Sequence, residues 1–151
     1  MSNAYQHILV AVDLTKDSHL VLKRALPIAE RNGARISIIH TLEPLGFAYG
    51  GDIPMDLSSI QDQLDTHARE RLADIATPHG IKPEDQHVVV GMPDSEIQRF
   101  AKDRAVDLIV VGSHGRHGFA LLLGSTSTGV LHGAECDVLA VRVGHIDDTD
   151  E

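Results

Sequence analysis

Five short runs of apolar, largely β-branched residues punctuate the chain, at 7–12, 35–41, 86–90, 107–111 and 137–143. Between them lie stretches in which apolar residues return every three or four positions. This alternation constrains the fold more than any other feature. The first run, Ile8-Leu9-Val10-Ala11-Val12, is continuously apolar, the pattern of a strand buried on both faces. Strands separated by helices need long crossovers and therefore run parallel. The expected architecture is a doubly wound, mainly parallel five-stranded α/β sheet with helices on both faces, Rossmann-like. Its 151 residues suit one domain, expected over 1–144, with the acidic stretch 145–151 read as a disordered tail.

The helical stretches carry their own punctuation. From Ser18 to Asn32, Val21, Leu22, Ala25, Ile28 and Ala29 share a face, with Ser18 as a cap and Asn32-Gly33 as a stop. Ile60, Leu64, Ala68, Leu72 and Ile75 define an amphipathic helix over 58–79. Gly91-Met92-Pro93-Asp94 opens another that runs to about Arg104, with proline early and acids in the first turn. A final helix is expected from Ser125 to about Ala134. The stretch 42–57, with its prolines, glycines, Phe47 and Tyr49, is long for a connection and reads as a lid or a partner-contact loop.

The segment from Val110 to Gly129 carries the functional signal. The apolar run Leu108-Ile109-Val110-Val111 reaches Gly112, glycines recur at Gly115 and Gly118, and a second Gly-Ser step at Gly124-Ser125 opens a helix. Glycines let a ligand approach the backbone, and free N–H groups at a helix start suit phosphate. The plainer alternative is a tight strand-to-helix turn. No Gly-Lys-Ser/Thr occurs, so this is not a Walker loop, and the glycine spacing is not that of the dinucleotide fingerprint. In a doubly wound sheet, ligands bind beyond the carboxyl ends of the strands where strand order reverses. Asp13, Thr41 and Gly112 end three of the runs and should line one crevice.

A formal charge of −9 argues against nucleic acid, whose backbone demands a basic face. The single cysteine, Cys136, excludes an intramolecular disulfide and points to a reducing compartment. Neither a signal core nor an apolar run of membrane-spanning length is seen, so a cytoplasmic protein with no membrane partner is expected.

Together Ile8-Leu9-Val10-Ala11-Val12-Asp13, Ile38-Ile39-His40, Gly91-Met92-Pro93, Asp107-Leu108-Ile109-Val110-Val111-Gly112-Ser113-His114-Gly115 and Cys136-Asp137-Val138-Leu139-Ala140-Val141 resemble the universal stress protein family over nearly the whole chain. The resemblance implies a five-stranded α/β fold, induction under stress, dimers formed through the last strand and, in many members, ATP binding. The family's signature is Gly, two residues, Gly, nine residues, then Gly with Ser or Thr. Here only eight residues, Arg116 to Leu123, separate Gly115 from Gly124-Ser125. By resemblance Asp13 would face the ribose and adenine and the backbone near Thr41 the adenine edge. Gly112, Ser113, His114 and Gly115 would meet the ribose and phosphates; on residue chemistry alone, Arg116 and His117 are the cations within the loop able to neutralise phosphate charge. Gly124, Ser125 and Thr126 would meet the outer phosphates.

Each role has a plainer alternative. Asp13 can cap the turn at Leu14-Thr15, Ser125 and Thr126 can cap a helix, and Arg116 can be a solvated surface residue. No zinc ligand set is complete, and Mg²⁺ carried on the nucleotide, touching Asp13, is the one metal to consider. The expected function is an ATP-binding stress-response dimer, paired through 137–143 and read by another protein. The alternatives are an interaction module without nucleotide, or a slow ATP hydrolase.

Overall fold

The computed structural model describes residues 4–44, 57–114, 129, 130 and 132–143. Its elements in chain order are β1 (His7–Ala11), α1 (Ser18–Asn32), β2 (Arg35–Leu42), α2 (Leu57–Ala76), β3 (Gln86–Val90), α3 (Pro93–Asp103), β4 (Leu108–His114) and β5 (Asp137–Val143). Residues 129, 130, 132 and 133 are helical. The strands form one sheet in the order β3-β2-β1-β4-β5, with every neighbouring pair parallel. The order reverses between β1 and β4, because the chain winds outward to β3 and returns to the other side of β1.

Alternation along the strands divides the core into two layers. Ile8 and Val10 of β1, Ile38 of β2 and Val110 of β4 face α1 and α2, where Leu22, Ala25, Ala68 and Leu72 cover them. Leu9, Ile39, Ile109 and Val111 face the other way, onto Ile97, Phe100 and Ala101 of α3 and onto Val130. A period of two on each strand, set against helices on both faces, explains why the runs are apolar throughout.

The helix boundaries follow local chemistry. Gly33 has φ 64° and its N–H reaches back to Ala29 and Glu30, a left-handed cap that glycine adopts without strain. The expected cap at Ser18 is corrected. Asp17 occupies the N-cap position without a side-chain cap bond, and Ser18, 1% exposed, is drawn inside the first turn. Its hydroxyl turns to Asp13 Oδ1 at 3.4 Å. The helix expected over 58–79 is α2 followed by a short 3-10 turn, Thr77–His79.

Hydrogen bonds also tie the amino-terminal edge of the sheet. The Asp107 carboxylate accepts the Gln6 and His7 backbone N–H groups at 2.9 and 3.0 Å, joining β1 to β4. His7 Nδ1 lies 3.1 Å from the Arg104 carbonyl and Nε2 2.8 Å from Ser37 Oγ. A carbonyl only accepts, so Nδ1 carries the proton.

His87 on β3 stacks against Phe100 of α3 with ring centroids 4.7 Å apart, and its Nε2 is buried without a hydrogen-bond partner among the described residues. Burial, then the nearby Arg104 guanidinium, holds this imidazole below its ordinary value, against a smaller opposing pull from Asp85. The unfolded chain therefore binds the proton more readily. Stability conferred by neutral His87 is present above the free imidazole value of about 6.5 and falls as pH drops through it. His87→Phe should lose less stability than the parent between pH 7.5 and 5.5 in thermal melts, and an identical loss would contradict this account.

Candidate functional site

The reversal between β1 and β4 places a crevice at the carboxyl ends of the strands. Val10 pairs with Val110, so continuing the register sets Val12 level with Gly112. The ladder to β2 extends past β1, with Val12 N–H donating to the Ile39 carbonyl at 3.0 Å. Asp13 follows directly, and Thr41 lies on the neighbouring strand, paired with Val89 of β3. The topology thus brings Asp13, Thr41 and Gly112 to one end of the sheet. Gly115, Arg116, Gly124, Ser125 and Thr126 lie outside the described residues.

Asp13 is exposed, and its Oδ1 accepts from Thr15 N–H at 3.1 Å and Thr15 Oγ1 at 2.7 Å as well as from Ser18. This oxygen holds the turn. Oδ2 takes no hydrogen bond from the described residues. Thr41 Oγ1 is buried and also lacks a partner among the described residues, which costs free energy unless something pairs it. His40 Nδ1 donates to the Val12 carbonyl at 2.9 Å, fixing the β1–β2 rim from the side as an interior histidine.

One expectation about the glycine segment is corrected. The fourth strand does not stop at Gly112. It continues through Gly112, Ser113 and His114, which pair with Val141, Arg142 and Val143 of β5. Ladder pairing outweighs glycine's weak strand propensity there. Gly112 is also absent from the described glycines with positive φ. A Cβ at this position would lie 3.1 Å from Val21 Cγ2 and 3.4 Å from Val143 Cγ2, so the glycine admits α1 and β5 to close packing. Gly112→Ala should cost on the order of 1–2 kcal/mol in denaturant unfolding, and a neutral effect would refute the packing role. Ser113 is buried, with its hydroxyl 3.4 Å from the Val141 carbonyl.

Sequence spacing gives no sign of two further residues. Leu14 has φ 65°, and Arg71 of α2 donates from Nη2 to the Leu14 carbonyl at 2.7 Å across 57 positions of chain.

Along α3, a cleft of about 490 Å³ is lined by Gln98, Lys102, Val106, Ile109, Ala134 and Cys136 among others. Burial, then the adjacent Asp137 carboxylate, pushes the Cys136 thiol up, which disfavours the nucleophilic thiolate. No group of His, Cys, Asp and Glu among the described residues is arranged to hold a metal ion. No described helix is long and apolar enough to cross a membrane.

Sheet order and strand direction together define a doubly wound α/β protein with a topological switch point between β1 and β4. Residues 4–142 match the universal stress protein family, and the chain belongs to that family. It is 45% identical over 143 residues to universal stress protein A homolog 2 of Coxiella burnetii (strain RSA 493 / Nine Mile phase I), covering 92% of this chain and 96% of that one. The structure of universal stress protein UspA from Lactobacillus plantarum superposes with TM-score 0.72 at 26% identity, over 93% of this chain and all of that one. A universal stress protein solved in complex with cAMP superposes with TM-score 0.61 at 27% identity, over 93% of this chain and 98% of that one.

Proposed function

We propose that the chain binds ATP at the β1–β4 switch point and acts as a cytoplasmic stress-response regulator whose loaded state is read by a protein partner. The observation that carries this reading is the strand order, which sets Asp13 beside the end of β4 and leads the chain from β4 directly into the glycine segment. The donor set fits a nucleoside. The Asp13 oxygen that takes no bond from the described residues suits ribose hydroxyls, and the Thr41 hydroxyl, without a partner among the described residues, lies on the strand next to Asp13. The nucleotide seen in the related cAMP complex supports the same ligand class. Gly112, Ser113, His114, Gly115, Arg116, Gly124, Ser125 and Thr126 would serve the phosphates, with Mg²⁺ entering on the nucleotide near Asp13. When bound, ATP supplies a removable polyanion that marks one state of the protein. The chromatographic test is to denature freshly purified protein and identify what it releases: ATP supports the reading, whereas a different nucleotide would reassign the ligand.

A non-nucleotide interaction module is the second reading, favoured by the eight residues between Gly115 and Gly124 where the family signature has nine. Loss of one residue shortens reach by about 3.5 Å. In either reading β5 is an edge strand, and an exposed edge invites pairing. A two-fold antiparallel pairing of Asp137–Val143 would cover it and make a homodimer. Ala140→Lys, at the midpoint of this strand, sets like charges near the two-fold. It should give monomer in sedimentation, and a persistent dimer would move the interface elsewhere.

A further inference from the structure

The turn that carries Asp13 holds a backbone conformation that leucine avoids. At φ 65° Leu14 lies in the left-handed region, where its Cβ crowds the following carbonyl. Such a residue persists only when its surroundings over-determine it. Within the turn, Asp13 Oδ1 gathers the Thr15 N–H and hydroxyl, and the Leu14 side chain packs against the core of the α1/α2 face. From outside it, the guanidinium of Arg71 on α2 donates to the Leu14 carbonyl at 2.7 Å. Arg71 is exposed and not a core residue, so a guanidinium on this carbonyl contributes little beyond the geometry of the turn. That geometry directs the Asp13 carboxylate.

Resting on the nucleotide reading above, we propose that Arg71 is a positioning residue: by holding Leu14 left-handed it aims Oδ2 of Asp13 at the ribose hydroxyls, and the crevice thereby selects ribonucleotides. A carboxylate only accepts hydrogen bonds, and ribose hydroxyls donate them. A nucleotide without those hydroxyls leaves the carboxylate desolvated and unpaired, the asymmetry by which polar sites reject analogues. Without Arg71 the turn relaxes toward conformations that leucine prefers. Bound ribose must then restore the strained one, and apparent affinity falls by the fraction of chains still correctly formed.

The test is calorimetric titration of the parent and of Arg71→Ala with ATP and with 2′,3′-dideoxy-ATP. The parent should prefer ATP by roughly ten-fold. Arg71→Ala should weaken ATP by roughly five- to ten-fold and leave the dideoxy analogue nearly unchanged, so the preference collapses. Glycine accepts the left-handed conformation without cost, so adding Arg71→Ala to a Leu14→Gly background should change ATP affinity by less than about two-fold. An undiminished preference in Arg71→Ala, or an equal loss for both nucleotides, overturns the positioning role while nucleotide binding stands. A parent chain that binds neither nucleotide overturns both.

Discussion

Truncating Ile109 to alanine should lower the unfolding free energy by about 2–5 kcal/mol. Ile109 is 0% exposed at the centre of β4, paired with Leu9 of β1 on one side and Val138 of β5 on the other. Its side chain belongs to the layer formed with Ile97, Phe100, Val106 and Val130. Removing it forfeits the transfer free energy of the lost carbons and opens a void that a strand fixed on both sides cannot close. The void adjoins the cleft beneath α3, which Ile109 itself lines, so water entry sets where in the range the cost falls. For a domain stable by about 5–15 kcal/mol, such a loss is a large fraction of the total. Ile60→Ala, at an exposed position of α2, is the control and should change stability by less than about 0.5 kcal/mol. Urea unfolding of both variants checks this. A loss below 1 kcal/mol at Ile109 would mean that the two-layer core is misdescribed.

Asp13→Ala should weaken ATP binding by roughly ten- to a hundred-fold, the range for losing a hydrogen bond to a charged acceptor. The same substitution also removes the acceptor for Thr15 and Ser18, so part of the loss reflects a loosened turn. Asp13→Asn separates the two effects. Its amide oxygen can still accept from Thr15 N–H, while the second position becomes a donor. It should keep the melting temperature close to the parent's and yet bind ATP more weakly. If Asp13→Asn melts normally and binds ATP as the parent does, Asp13 is a turn residue and nothing more.

The two readings of Asp13 open from sequence were capping and ribose contact, and the structure shows the first: Oδ1 holds the turn through Thr15 and Ser18, while the ribose contact rests on the proposed nucleotide site. Much else was legible because local and tertiary preferences agree. The residues of β3 and β5 match the expected runs 86–90 and 137–143, and Gly33 ends α1 as Asn32-Gly33 suggested. Gly112 misled because glycine serves two purposes with one signature. It can bend a chain or admit close neighbours, and the distances to Val21 and Val143 belong to the second. The Arg71–Leu14 contact was illegible for a different reason. A strained leucine has no sequence signal, and its partner lies on another helix. His87 likewise looked like one of ten histidines, and only the packing of α3 against β3 gave it a buried nitrogen with no partner among the described residues.

Calorimetric titration of nucleotide-free protein with ATP and Mg²⁺ decides whether the crevice between β1 and β4 binds ATP. One nucleotide per chain should bind with saturable heat, weakened by Asp13→Ala. Heats should be taken at several temperatures, because binding enthalpy can pass through zero at any one of them. No binding heat at any temperature would contradict the claim and turn the search to protein partners of the same fold.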